Sequence, residues 1–441
     1  MQSGEPVGDR GAQARGGPTS TPSLRKNAWW VALGQVVVKP LWFMFITAAC
    51  MRYLGPASYG IFSATLALAT LAATVSDLGT TNFTTRALAR DQSQRSALLT
   101  NTLVARVGLA LLAGIGVVIA AWVLGYSRSF WFSLGAACLY GLAFQLTEYC
   151  RAFYRAAEVL RDEALLSIAE KLIVITGGLA LLLTTRQPGP TLLGMALGMC
   201  LVFALNLGWV HVRYARIAPS TLDVRFLVHT LRAAWPIGLV LVFSAVPLSA
   251  GPVLTEALLG EEAAGLYGSA QRILEALQSL SFVFVVTTFA RLSGLFHAGR
   301  VEEYRYLVRR SLLLLMVLSV TIAALLSVSA PWLIGLIDQG RFEETGDLLR
   351  SMSWLFPLMA STYVLMFALM SADDHNVAAW LTGAAAVASV LLMAELLPRL
   401  GLIGPAVSLF IVYGLVTAVA LWHVERRVRE KQAPEAFPTQ A

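Results

Sequence analysis

The sequence predicts an all-α membrane protein with twelve transmembrane helices in two parallel six-helix lobes and both termini on the cytoplasmic side. Three observations lead there: an apolar composition, twelve apolar stretches of spanning length, and an internal repeat. Hydrophobic residues fill 57% of the 441 positions and charged ones 13%, against roughly 45–50% and about 25% in soluble domains. Mean hydropathy is +0.68. Stretches of about 20 apolar residues, enough to cross a bilayer, occupy 28–51, 59–78, 98–125, 129–150, 164–185, 191–212, 233–257, 264–289, 307–337, 351–371, 376–397 and 401–423. The repeat aligns Leu54-Gly55-Pro56-Ala57-Ser58-Tyr59-Gly60-Ile61-Phe62 with Leu259-Gly260-Glu261-Glu262-Ala263-Ala264-Gly265-Leu266-Tyr267 without a gap, at an offset of 205 (259 against 54), and Arg86 then falls on Arg291.

Taken in order, residues 1–27 hold Gly, Pro, Ser and Thr with little to bury, and are expected to form a disordered cytoplasmic tail. The first apolar stretch is long enough to span, so it reads as a retained helix and not as a cleaved signal. The N-terminal lobe then covers 28–212, a cytoplasmic linker 213–232, the C-terminal lobe 233–424 and a basic cytoplasmic tail 425–441. Cys50, Cys138, Cys150 and Cys200 lie in or beside apolar stretches with no CxxC pair, so neither a disulfide framework nor a zinc site is indicated.

Orientation follows from the basic residues between the stretches. With the N-terminus inside, the outer set is only Arg52, Arg128, Arg186, Arg341, Arg350 and Arg399, while 23 of the 33 Lys and Arg are cytoplasmic. The formal net charge of +7 is therefore mostly a topology signal and calls for no nucleic-acid partner. The remaining four, Lys39, Arg106, Lys171 and Arg272, sit inside predicted spans.

Arg52-Tyr53-Leu54-Gly55-Pro56 with Tyr59-Gly60, then Ser76-Asp77-Leu78-Gly79 and Thr85-Arg86-Ala87-Leu88-Ala89-Arg90, resembles the Wzx-type oligosaccharide flippases and polysaccharide exporters of the MOP (MATE-like) superfamily. The span count, the short loops and the second-half echo of the motif fit that family along almost the whole chain. From the residues alone, Gly55-Pro56 is a chain break between two helices, and Tyr53 and Tyr59 are interfacial aromatics. The resemblance implies a polyprenyl-pyrophosphate-linked glycan as cargo (an O-antigen or exopolysaccharide repeat unit), the bacterial inner membrane as location, and ion or proton antiport as energy source. It also implies polymerase and chain-length proteins of the same pathway as partners, and neither a cofactor nor a metal.

Six spans is an even number, so the two copies cross in the same direction and face each other across a cleft, with rocking of the lobes as the expected motion. Hinges should appear as helix breakers. Pro40 in the first span and Pro236, Pro247 and Pro252 in the seventh are the hinge candidates, because the repeat pairs those two spans.

A charge at mid-bilayer costs roughly 2.5–3.5 kcal/mol on insertion scales. Lys39 therefore needs water or a partner. Arg272 has Glu275 one turn on, so either a self-neutralising pair or a binding group fits; Arg106 has a stem long enough to snorkel. Lys171 follows Glu170, and neighbours in sequence point to different faces. Together Lys39, Arg106, Lys171 and Arg272 form a cation set suited to phosphate oxygens. Glu170 and Glu275 are the candidate proton carriers. Asp77, Glu148 and Glu395, near helix ends, and the five histidines read as solvated interfacial groups, and Asp373-Asp374-His375 as a solvated turn.

No Walker A, HExxH or dinucleotide fingerprint occurs, so the chain does not read as an enzyme. Two other classes compete: a drug or cation antiporter of the same superfold, which would want carboxylates in the cleft, and a lipid-linked glycan polymerase or ligase, which would want a large outer loop. The longest outer stretch, around Asp338 to Arg350, is about a dozen residues and disfavours the latter.

Overall fold

The computed structural model describes residues 41–432 apart from 158 and 339, and every regular element among the described residues is helical. Helix α1, Leu41–Leu54, contains a π-helical segment at Met44–Ala49. There follow α2 (Pro56–Asp77), α3 (Thr80–Arg90), α4 (Arg95–Val123), α5 (Arg128–Ala156), α6 (Leu160–Thr185) and α7 (Pro188–Arg213). The second half comprises α8 (Val224–Leu259), α9 (Glu261–His297), α10 (Val301–Asp338), α11 (Glu343–Met352), α12 (Leu355–Ser371), α13 (His375–Leu400) and α14 (Gly404–Gln432). Apolar stretches two to twelve each fall on one of these helices. Among the described residues eight helices are long and apolar enough to cross a membrane, or nine with the pair α11 and α12, bent by 43°. Lys39 and Pro40 lie outside the described residues.

The repeat is visible as packing. Gly55 at φ 76° and Gly260 at φ 93° make the sharp turns into α2 and α9, conformations that side chains resist. Four or five residues on, the two helices cross with no room between their backbones. A Cβ on Gly60 would strike the carbonyl of Glu261, and one on Gly265 would strike the carbonyl of Pro56. The contact is reciprocal at the same offset of 205, because 56 pairs with 261 and 60 with 265. Ser63 adds a 3.5 Å hydrogen bond to the Ala264 carbonyl. Both helices start at this point, so the copies run the same way. Small residues at such a crossing permit the close approach from which helix packing in lipid draws its van der Waals energy.

Helix α2 meets the second half again at its far end, where Gly238 of α8 lies against the Leu78 backbone and Gly79 against Ala234. Around α2 the helices pack in matching sets. Helix α2 packs on α5 and α5 on α7, as α9 packs on α12 and α12 on α14. The pair α6 and α7 is mirrored by α13 and α14 in the same way. Helix α4 stands at the periphery, with Leu111, Leu112 and Trp122 exposed, as expected of a face toward lipid.

Two sequence expectations need correction. The three prolines do not break α8, which runs unbroken for 36 residues. A proline removes one N–H and its bond to the carbonyl four residues back, and the carbonyl freed by Pro252, that of Leu248, accepts instead from Gln271 Nε2 of α9 at 2.8 Å. Pro331 behaves alike, its freed Ser327 carbonyl taking Arg350 Nε at 3.2 Å. The stretch after Asp338, expected to be loop, contains the amphipathic helix α11, which buries Thr345, Gly346, Leu348 and Leu349 against α9 and α10.

Candidate functional site

The described cations Arg106, Lys171 and Arg272 lie in three clusters of paired charges, and in two of them, one from each half, the cation keeps part of its surface accessible. The first surrounds Arg106 at the arginine-rich end. Arg106 is fully buried. Its guanidinium pairs with Asp77, donates to Thr80 Oγ1 at 2.9 Å, to the Gln145 carbonyl at 2.7 Å and to Thr81 Oγ1 at 2.5 Å, and lies 4.6 Å from the Tyr149 ring centroid. Asp77 also takes the Thr81 N–H at 3.1 Å and hydroxyl at 2.7 Å. The end of α2, the start of α3, and helices α4 and α5 are thus tied through one cation. Asp77 is a buried partner here and not a solvated interfacial acid. Arg106, expected in the cleft, lines no open surface.

The second group joins α5 and α6. Glu170, with its side chain fully covered, holds Lys171 Nζ at 2.7 Å on one oxygen and Arg151 on the other. Arg151 also pairs with Glu148, which takes Arg155 at 3.1 Å, and Arg155 reaches Glu163 at 2.8 Å. Three acids and three bases alternate along this chain of contacts, so Glu148 is a network member as well. Lys171 is the end of the network nearest α1. Its ammonium lies 4.8 Å from the Trp42 ring centroid and 5.1 Å from that of Phe144, within the range of cation–π attraction. Tyr140, one turn before Phe144, stands nearly parallel to Trp42 with centroids 6.3 Å apart. Lys171, and not Glu170, keeps some exposure.

The third group is on α9. Arg272 Nη1 binds Glu275 at 2.7 Å, and Gln271 Nε2 binds the other Glu275 oxygen at 2.7 Å while also capping the Leu248 carbonyl. About a fifth of the Arg272 side chain stays accessible. The helix that carries it, α9, packs along α2 of the first half. Lys171 thus lies among the Trp42, Phe144 and Tyr140 rings, and the Arg272–Glu275 pair on the second-half helix that packs against α2. Glu170 is ten residues into α6 and Arg272 eleven into α9, each about 15–17 Å along its helix.

Around this centre several buried polar atoms have no hydrogen-bond partner: Thr47 Oγ1, Tyr59 and Tyr267 hydroxyls and Gln271 Oε1. Such atoms mark a place for water or a ligand group. Thr47 aligns with Pro252 at the offset of 205, and α1 is π-helical across it. The repeat thus pairs a π-helical segment, a feature frequent at functional sites, with the proline whose freed carbonyl takes Gln271.

Sequence reasoning missed Trp42, Tyr140, Phe144, Arg151 and Gln271. Tyr140 and Phe144 carried a weak signal, two aromatics at a spacing of four on one helix face. Among the described residues no group of three metal-ligating side chains occurs, and Asp373 and Asp374 are bonded to His297 and Arg427.

A model of the polysaccharide biosynthesis protein family matches residues 24–296. No curated protein matches the chain in sequence. Among solved structures, an inward-facing multidrug resistance MATE family transporter of the MOP superfamily superposes with a TM-score of 0.68 at 16% identity, over 93% of this chain and 100% of that one. The lipid II flippase MurJ in its inward closed conformation gives 0.69 at 12% identity, over 92% and 90%. A MOP superfamily transporter from Pyrococcus furiosus, described as having a binding pocket of reverse polarity, gives 0.61 at 13% identity, over 94% and 100%. Likenesses at these identities speak to the fold, a MATE-like arrangement of membrane helices.

Proposed function

The chain belongs to the polysaccharide biosynthesis protein family, and from that premise we propose that it is a flippase for a polyprenyl-pyrophosphate-linked oligosaccharide, an O-antigen or exopolysaccharide repeat unit. The observation that carries this reading is the pair of mid-depth cations, Lys171 from one half and Arg272 from the other, each partly accessible inside the bundle. Both cations already hold carboxylates. A pyrophosphate entering the seam would compete for them, and charge-assisted bonds of Arg and Lys to phosphate oxygens are roughly twice as strong as neutral ones.

Such an exchange couples cargo to protons. A carboxylate stripped of its cation in a low-dielectric seam is costly. Of the two candidate carriers, Glu275, whose one cation is Arg272, would therefore take up a proton when phosphate draws that cation away, whereas Glu170 keeps Arg151 and would follow only if that pair also opens. Departure of the cargo re-forms the ion pair and expels that proton. The glycan would occupy the seam while the prenyl chain stays in lipid. Arg106 serves this reading as the tie of α2 to α4 and α5, and Lys39 as a further cation from the first span. Pro236, Pro247 and Pro252, with Pro40, are assigned the hinge role, the three in α8 as points of bending in a helix that stays continuous, because each omits a backbone hydrogen bond.

In this reading twelve spans form two lobes, 28–212 and 233–424, joined by the linker 213–232, with tails 1–27 and 425–441 in the cytoplasm of a bacterial cell and the bundle in its inner membrane. Polymerase and chain-length proteins would act on the product. A cationic drug as cargo fits less well, because the fully covered Glu170 is held by Arg151 and Lys171.

The test is glycan display in cells carrying Lys171→Ala or Arg272→Ala. Each is expected to lose display at least tenfold with normal membrane insertion. Wild-type display by both variants would overturn the reading.

A further inference from the structure

The side chain at position 256 does not suit its surroundings. Glu256 lies in the last turn of α8, keeps 6% of its surface accessible, and has one carboxyl oxygen, Oε2, that is buried with no hydrogen-bond partner. Among the described residues no lysine or arginine pairs with it. The charge that does act on it is another carboxylate, Glu261, across the Gly260 turn. A helix C-terminus is itself the negative end of the backbone dipole, and the Glu256 carbonyl is one of its terminal acceptors. Burial, a like charge and the dipole all oppose a bare anion here.

This turn is where the halves close. Glu261 provides the carbonyl against Gly60. On its other side the turn between α4 and α5 grips it, Tyr126 donating to the Val253 carbonyl at 2.9 Å and Ser127 to Glu261 Oε1 at 3.1 Å. The Tyr126 hydroxyl is thereby spent on a backbone carbonyl three residues before Glu256 and does not bond its carboxylate. Arg341 reaches the same seam beside Gly55 but donates to the Arg52 carbonyl, and Arg128, beside Ser127, is exposed. At the repeat-related position the first half has Met51, wholly buried. The scaffold therefore wants a neutral side chain at this point, and the second half has an acid.

We propose that Glu256 is a binding site for one positive charge, a proton or an alkali cation, and that occupancy of this site is what lets the α1–α2 and α8–α9 turns close on each other. Loss of that charge leaves a buried anion in the seam and loosens the closure. The proposal stands without any assumption about the cargo.

Amide hydrogen exchange on the full-length protein in lipid nanodiscs tests it. Peptides over 56–64 and 257–266 are followed from pH 5 to pH 9, corrected for intrinsic exchange, in N-methylglucamine, potassium or sodium chloride. In wild type, protection of both peptides should fall at least tenfold on leaving the occupied state. Loss with rising pH in all three salts assigns a proton; protection kept at pH 9 by sodium or potassium but not by N-methylglucamine assigns an alkali cation. Glu256→Gln and Glu256→Met should stay protected throughout, while a peptide over 359–369 in α12 remains constant in every sample. Wild-type protection insensitive to both pH and salt, or a Glu256→Gln protein that responds as wild type does, would overturn the proposal.

Discussion

The turn between α1 and α2 and the turn between α8 and α9 have the same shape and different chemistry. Gly55 and Gly260 both sit at positive φ, and Gly60 and Gly265 both press bare backbone against the other half. Four residues before each glycine turn, however, stands Met51 in one copy and Glu256 in the other. The same contrast recurs deeper: Arg272 aligns with Ala67, Glu275 with Thr70 and Arg106 with Ser311. Geometry that both copies need is kept in both, because a Cβ at either crossing glycine would collide with backbone. Charge is kept once, because the shared scaffold does not require it and each buried charge is costly unless paired.

Three experiments break or sharpen that contrast. The largest effect should come from the group present in one half only. Arg106→Gln alone leaves the buried Asp77 carboxylate uncompensated, which costs about 3–5 kcal/mol, whereas Arg106→Gln with Asp77→Asn should recover a substantial part of the loss in thermal stability. A double variant no more stable than Arg106→Gln would mean that Asp77 is not the partner that matters.

Next come the paired glycines. Gly60→Ala and Gly265→Ala should each lower stability by about 1–3 kcal/mol, the usual cost of overpacking, and by similar amounts because the contact is reciprocal. Their double variant should fall short of the sum, since both wedge one crossing. If one glycine tolerates alanine and the other does not, the symmetry of the scaffold is shallower than the geometry suggests.

The smallest effect belongs to the exposed tie at the arginine-rich end, where His297 bonds the Ser293 carbonyl and Asp373, each at 2.8 Å. These two bonds, in that order, hold its pKa above the usual imidazole value. The contribution is therefore present below the unfolded pKa near 6.5 and lost as pH rises through the raised folded value. Exchange protection at the end of α9 should weaken slightly over that rise, and Asp373→Asn should flatten part of the response, leaving what the Ser293 carbonyl contributes. A rise in protection with pH would contradict the sign.

Much of the fold was legible because lipid makes length and polarity sufficient: stretches two to twelve coincide with helices, and the 205 offset announced a crossing that packing then displayed. The site was legible only in part. Lys171 and Arg272 stood out as charges in apolar runs, and both keep part of their side chains accessible inside the bundle. Arg106 carried the same signal, yet its partner Asp77 is 29 residues away in sequence, and that distance hides which buried cation is free for a ligand. The link from Pro252 through the Leu248 carbonyl to Gln271 was invisible for a related reason, since a freed carbonyl declares itself only when another helix supplies the donor. Glu256 looked like an ordinary acid at a helix end, and only the closed turn around it makes it exceptional.

Helix α2 touches the opposite half near both its ends, at Gly60 and at Leu78–Gly79. These contacts are about 28 Å apart along its axis, close to the thickness of the hydrocarbon core. One stiff rod thus bears on both rims of the passage. Tilting it by about 10° about either contact swings the other by about 5 Å, so that parting one rim and pressing the other together become a single mechanical act, a seesaw whose pivot changes ends.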